Sequence, residues 1–437
     1  MPWRVSGTLY YEKQNVELNE MNIPVFGSVT EELADGLPVA LFDATGRTKL
    51  GEGIVAKDGT FSFPTTRLPI STDRLFVLPV WFVNNEVQLA LLIAGKSAPF
   101  DVWSWNMTLG DFTSTNDPGK MADIIISIKE YSGAIYLYQQ YKKAYEQLVS
   151  TGFVSAVAQV PSMAVIWKQG MVWDCGSCYY DEPPAGFAEV ASNQTGKHVT
   201  DTIMEIGGRN SDESAWGTPT IFHEFAHFVL AQRRDDTPGG SHIISQASEP
   251  RLAWSEGWAT FYALMVQSID VGYPVYEYWR ILASGSYWLD YSMLRERVEG
   301  ASYAIDKPSP SHADGMKQKL SEAWVTHYLY DLWDGSDVDD ARHYQDNRYQ
   351  PDPVAVPISD IWKALASERY RSANLYNYLP SDKNQTRNYR DVDLVDFIDA
   401  LLCEGLLDPA IFYAWMDEQN EFPYDKSPVC IEKYKAP

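Results

Sequence analysis

The chain is 437 residues long and carries 59 acidic against 35 basic side chains, a formal net charge of −24. That charge argues against nucleic acid and anionic membrane as partners, and no run of about 18 apolar residues offers a membrane span. With 45% apolar and 14% aromatic residues, the length suffices for two or three folded domains, each with its own core. Residues 1–128 read as β. Segments 37–43, 51–56 and 61–63 are short strands, and Lys57-Asp58-Gly59-Thr60 is an Asp-Gly hairpin signal. Segments 75–83 and 87–93 flank a second turn signal, Asn84-Asn85. This succession predicts an antiparallel β-sandwich over 1–128. The start, Met1-Pro2-Trp3-Arg4, leads straight into a strand with no signal-type apolar region. A cytosolic chain and a mature secreted chain both fit that start, and we expect the second.

From about residue 124 the pattern changes. Ile135 to Val149 reads as a helix rich in tyrosine (Tyr136, Tyr138, Tyr141, Tyr145), and Ala164–Trp167 and Thr202–Ile206 read as strands. Next comes His223-Glu224-Phe225-Ala226-His227. Residues four apart lie one above the other on a helix, so His223 and His227 present their imidazoles on one face. Two neutral imidazoles so placed can hold one Zn²⁺, and Glu224 can serve as general base. Thr218 suits an N-cap and Pro219 the first helical position, with Ile221, Phe222, Phe225, Ala226, Val229 and Leu230 as the buried side. The alternative is a pair of surface histidines on an amphipathic helix.

A catalytic zinc needs a third protein ligand. A metzincin pattern would place Gly at 230 and His or Asp at 233; Leu230 and Arg233 stand there instead. The remaining option is a glutamate on a second packed helix, and Glu256 within Ala253–Ala263 fits. Ala259, Tyr262 and Ala263 share its face, while Gly257 and Ala259 would let the two backbones approach. A carboxylate on so apolar a stretch must be paired or metal-bound. His242, in a Gly239-Gly240-Ser241 loop, could stand in only if Glu256 is not the ligand. Beyond, 320–332 and 393–407 read as amphipathic helices. The acidic segments 334–340 and 346–352 read as solvated loops, and Asn106, Asn193 and Asn384 open glycosylation sequons.

Four cysteines, Cys175, Cys178, Cys403 and Cys430, allow three pairings. One CxxC without a βαβ context is neither a thioredoxin-like redox motif nor a two-knuckle zinc site. The locally paired set, Cys175–Cys178 with Cys403–Cys430, is the expectation, and it favours an oxidising, extracytoplasmic compartment.

These residues resemble the gluzincin metallopeptidases, in which HExxH and a glutamate on a following helix hold zinc. Trp254 to Tyr262 is similar to the W-x-x-E-G-x-A block of the aminopeptidase branch. The resemblance implies His223, His227 and Glu256 as Zn²⁺ ligands and Glu224 as base. It also implies an α+β chain in which a zincin-like domain over 129–437 follows the sandwich. Within that domain, 129–235 would hold a mixed sheet and the active-site helix, and 236–437 a mainly helical half with the third ligand. Ala56-Lys57-Asp58-Gly59-Thr60-Phe61-Ser62-Phe63 resembles the transthyretin-like or carboxypeptidase-regulatory-like modules of secreted hydrolases. Two departures stand out: 28 residues separate His227 from Glu256, nearer the spacing of bacterial collagenases, and Thr260 replaces the aspartate with which thermolysin-like enzymes orient a ligand histidine. By the same resemblance, 203–208 would be the edge strand that receives a peptide. Glu205 would hold a substrate amine if the enzyme is an aminopeptidase; a solvated strand glutamate is the alternative. Tyr287, Tyr303, His312 or His327 would stabilise the oxyanion. The expected activity is hydrolysis of peptide or protein substrates, as a secreted endopeptidase. The alternatives are an aminopeptidase of the same clan and a catalytically silent, zinc-containing binding or adhesion protein.

Overall fold

The computed structural model describes residues 3–20, 24–84, 86–93, 101–111, 123–130, 132–156, 159–168, 177–180, 202–206, 216–240, 242, 244, 247–271, 277–282, 285–290, 320–334, 354–372, 392–416, 428 and 430. Both helices and sheets are present, and the chain forms two compact units. One comprises Met1–Glu146, Ala156–Glu224 and Trp279–Trp288; the other comprises Gln147–Ser155, Phe225–Tyr278 and Leu289–Pro437.

In the first unit, the long strand β1 (Trp3–Leu18) pairs antiparallel with β2 (Pro24–Leu33) along its second half. Its first half pairs with β5 (Thr60–Thr65), and β11 (Ile124–Ile126) runs parallel to its middle. A second sheet orders β10 (Trp105–Thr108), β6 (Arg74–Val77), β3 (Pro38–Phe42) and β4 (Lys49–Ile54), all antiparallel. In β5 the alternation buries Phe61, Phe63 and Thr65 and leaves Thr60, Ser62 and Pro64 in solvent, as a strand with one wet face requires.

The Asp58-Gly59 turn forms as expected. Gly59 adopts φ +74°, and the Asp58 carboxylate accepts from the Thr60 amide and hydroxyl at 3.1 and 2.7 Å. The strands it joins are nevertheless not a hairpin: β4 pairs with β3 and β5 with β1, so the turn carries the chain from one sheet to the other. Two glycines on β4 permit the close approach there. A Cβ at Gly51 would lie 2.3 Å from the Pro64 carbonyl oxygen, and one at Gly53 would lie 2.9 Å from the Phe63 ring.

The third sheet orders β13 (Ser177–Tyr180), β14 (Thr202–Ile206), β12 (Met163–Trp167), β8 (Glu86–Ile93) and β7 (Val80–Val83), with β9 (Asp101–Val102) also on β8. Strands β8, β12 and β14 are mutually parallel. All five side chains of β12 are buried, the continuous apolar run typical of a central parallel strand. Asn84 takes φ +52° in the expected β7–β8 turn. Strands β7 to β9 fall within 1–128, yet β8 pairs with β12, well beyond residue 128, while β7 and β9 pair with β8. The expected edge strand over 203–208 is corrected, because β14 lies between β12 and β13. Both of its sides are already paired, so it cannot take a peptide as an added strand. Helix α1 (Gly133–Ser150) buries Tyr136, Tyr138, Tyr141 and Tyr145, and the Tyr138 hydroxyl donates to the Gly36 carbonyl at 2.8 Å.

Helix α2 (Thr218–Ala231) crosses from the first unit's residues into the second's. The second unit continues with α3 (Pro250–Val271), α4 (Glu322–Asp334), α5 (Ile358–Ala366), α6 (Glu368–Arg371), α7 (Leu394–Cys403) and α8 (Pro409–Trp415). Strands β16 (Glu277–Leu282) and β17 (Gly285–Asp290) form a separate two-stranded sheet. The short strands β15 (Ala247–Ser248) and β18 (Leu320–Ser321) pair antiparallel immediately before α3 and α4, which pins the starts of those helices together. Gly257 admits α4: a Cβ there would lie 2.5 Å from Val325 Cβ and 3.0 Å from the Glu322 carbonyl oxygen. The core is aromatic, with Trp254 against Phe397 at 5.3 Å and Trp258 against Trp362 at 5.8 Å between ring centres. Arg369 is fully buried between Asp396 (2.9 Å) and Asp399 (2.6 Å). Asp393 caps α7 in a capping box with Asp396. Cys403 is joined to Cys430 and Cys178 is also disulfide-bonded; Cys175 lies outside the described residues.

Candidate metal centre

Helix α2 starts from Gly217, whose carbonyl accepts the Ile221 amide at 3.0 Å. Thr218, expected as the cap, instead shares a hydrogen bond with the Tyr136 hydroxyl. The six apolar residues expected on the buried side are buried, and so are His223, Glu224 and His227. This helix is enclosed all round, which excludes the reading of two surface histidines. Glu256 is buried at 8% exposure on the second turn of α3. Trp258 locks that helix to α2 by donating from Nε1 to the Ala226 carbonyl at 3.2 Å, and Tyr262 packs on Phe225 with ring centres 6.2 Å apart.

One nitrogen of each histidine and one Glu256 oxygen lie within 4.8 Å of one another, a buried His-His-Glu group able to hold a metal ion. The proton arrangement around His227 fits that role. Ser255 Oγ donates its single hydrogen to Asp235 Oδ2 at 2.6 Å, so towards His227 Nδ1, 3.2 Å away, it can only accept. The proton of neutral His227 therefore sits on Nδ1, and Nε2 presents a lone pair. That lone pair faces Glu256 Oε2 at 3.4 Å. A metal ion placed between them would be held by both.

Sequence reading missed the Ser255–Asp235 pair, which stands behind His227 where Thr260 does not. Burial raises the Asp235 carboxyl above its ordinary range, against the opposing pull of the Ser255 hydrogen bond. Tyr141, fully buried on α1, is a second omission. Burial first and the Glu224 carboxylate second hold its phenol well above the ordinary value, so it remains a neutral hydroxyl.

Thr260 is engaged elsewhere, donating to Glu322 Oε1 at 3.0 Å. His242 does not replace Glu256 but joins it, with Nε2 3.2 Å from Glu256 Oε2 and 3.7 Å from Glu322 Oε2. His327 is buried on α4. Tyr303 and His312 lie outside the described residues, as do the side chains of Tyr287 and Glu205. No helix among the described residues is long and apolar enough to cross a membrane.

No family model and no curated protein matches the chain. Among solved structures, a 9R-lipoxygenase from Cyanothece PCC8801 shares 12% identity over 36% of this chain and 26% of its own, with a TM-score of 0.16. At that score the likeness carries no argument about fold or function.

Proposed function

We propose that the chain is a zinc-dependent peptidase of gluzincin type, with His223, His227 and Glu256 as metal ligands and Glu224 as general base. One observation carries this reading: the buried His-His-Glu group, with Glu224 next to His223 on the same helix. Two imidazoles and one carboxylate are a donor set that suits a catalytic zinc. The chemistry supplied by Zn²⁺ held there would be positive charge to polarise a carbonyl and to lower the pKa of a water to about 7.

The chain's own residues do the rest. Ser255 and Asp235 hold His227 in the tautomer that ligates through Nε2. Glu224 takes the proton of the attacking water and delivers it to the leaving amine. Tyr141, neutral beside Glu224, keeps the base's surroundings free of a second negative charge. The fold reading that accompanies this is an N-terminal β-sandwich, supported by the close approach of β4 and β5, followed by a zincin-like domain. The disulfide-bonded cysteines support an extracytoplasmic location, and an endopeptidase acting on peptide or protein substrates is the activity proposed.

The test compares wild type with Glu224→Gln on a complex peptide mixture, mapping new termini by mass spectrometry and metal content by elemental analysis. Internal cuts by wild type alone, at equal zinc content, are expected. Full zinc-dependent cleavage by Glu224→Gln would refute the assignment of the base.

A further inference from the structure

We propose that Glu256 belongs to two metal sites, and that His242 and Glu322 complete a second, solvent-accessible divalent-cation site beside the buried one. The proposal rests on Glu256 being a metal ligand, as above. His242 Nε2, a Glu256 oxygen and a Glu322 oxygen lie within 4.8 Å of one another. The same atom, Glu256 Oε2, stands 3.4 Å from His227 Nε2 and 3.2 Å from His242 Nε2. A carboxylate shared in this way by two ligand groups can bridge two cations.

The surroundings are built to hold this arrangement. The β15–β18 pairing sets the first residue of α4, Glu322, beside the second turn of α3. The Ala323 amide donates to the Ile244 carbonyl at 2.9 Å, tying the loop that carries His242 to the same helix start. Gly257, lacking a side chain, lets the Glu322 backbone approach α3. Thr260 binds Glu322 Oε1, while Oε2 is the oxygen that faces His242. A hydrogen bond behind a carboxylate ligand is the usual way its other oxygen is aimed at a metal.

Charge points the same way. Glu224, Glu256 and Glu322 are all buried, at 6, 8 and 4% exposure. His242 faces both Glu256 and Glu322, so a dication there would meet two carboxylate charges. One imidazole and two carboxylates suit Zn²⁺ or Mn²⁺ more than a soft cation. The His242 side chain is 31% exposed against 11% for that of His227, so the second ion is expected to exchange faster and bind more weakly than the first.

The test uses the full chain, stripped with a chelator and titrated with ZnCl₂ and separately with MnCl₂ by calorimetry, with anomalous diffraction on zinc-soaked crystals. Expected for wild type are two zinc equivalents, one tight and one at least tenfold weaker, and two anomalous peaks about 3.5–4 Å apart. Glu322→Gln, which keeps the Thr260 partner and the volume, and His242→Gln, on an exposed loop, should each lose the weak equivalent and keep the tight one. A single equivalent in wild type, unchanged in both variants, would overturn the second site and leave the His223–His227–Glu256 reading standing. Two equivalents untouched by either variant would also overturn it. Wild type binding no zinc would instead overturn the first site, and the second with it.

Discussion

Ser255→Ala tests whether the hydroxyl behind His227 sets the metal affinity. Ser255 is fully buried, and its Oγ stands 3.2 Å from His227 Nδ1 and 2.6 Å from Asp235 Oδ2. Removing it deletes the acceptor that keeps the proton on Nδ1. His227 must then partition between tautomers, and the form protonated on Nε2 cannot ligate. Loss of such a supporting hydrogen bond costs about 10–100-fold in metal affinity, or about 1.4–2.7 kcal/mol. The 3.2 Å contact is at the long end of the N–H···O range, which argues for the lower half of that interval. The short bond to Asp235 argues for more, since a carboxylate acceptor makes the serine oxygen a better acceptor in turn. About thirtyfold is the balance we expect. Competition against a chromophoric chelator measures it directly. Zinc affinity within twofold of wild type, in a variant that folds normally, would refute the relay and leave His227 oriented by α2 alone.

Three further perturbations probe the framework. Gly257→Ala gains about 1 kcal/mol of helix propensity but forces a Cβ to 2.5 Å from Val325 Cβ and 3.0 Å from a backbone oxygen. Neither atom can swing aside, so overpacking of about 1–3 kcal/mol wins; a lowered urea midpoint checks it, and Val325→Ala, which keeps its Cβ, should not rescue. Arg369→Leu leaves Asp396 and Asp399, 1 and 0% exposed, without their shared cation. It should cost about 3–5 kcal/mol by equilibrium denaturation, far more than Lys363→Ala, which removes only an exposed pair with Asp360. Cys430→Ser opens a crosslink of sequence separation 27, for which unfolded-state entropy gives about 3.5 kcal/mol. Reductant should lower wild-type stability by a similar or larger amount, because Cys178 is disulfide-bonded as well.

What sequence could reveal here was set by the range of each signal. Helical period is local, so α2, α3 and the facing of His223 and His227 followed from spacing alone. Turn chemistry is local too, and both Gly59 and Asn84 take the positive φ expected of turn residues. Strand partners are not local. Nothing in Phe61–Phe63 says that the strand after the turn returns to β1 and not to β4. Nothing in 202–206 says that Ser177–Tyr180 will close its open side. The orienting pair was hidden for a similar reason: Asp235 lies eight residues after His227 and 20 before Ser255, and no motif joins them. Glu322 is the instructive omission, because the argument that found Glu256 applies to it unchanged. It opens Glu-Ala-Trp-Val-Thr-His-Tyr-Leu, as apolar a helical stretch as the one around Glu256, and a carboxylate on such a stretch needs a compensating charge. Applied to both helices, that single rule selects the two carboxylates whose oxygens converge on His242. Burial of charge, more than the HExxH pattern, thus connects the linear sequence to the full extent of this site.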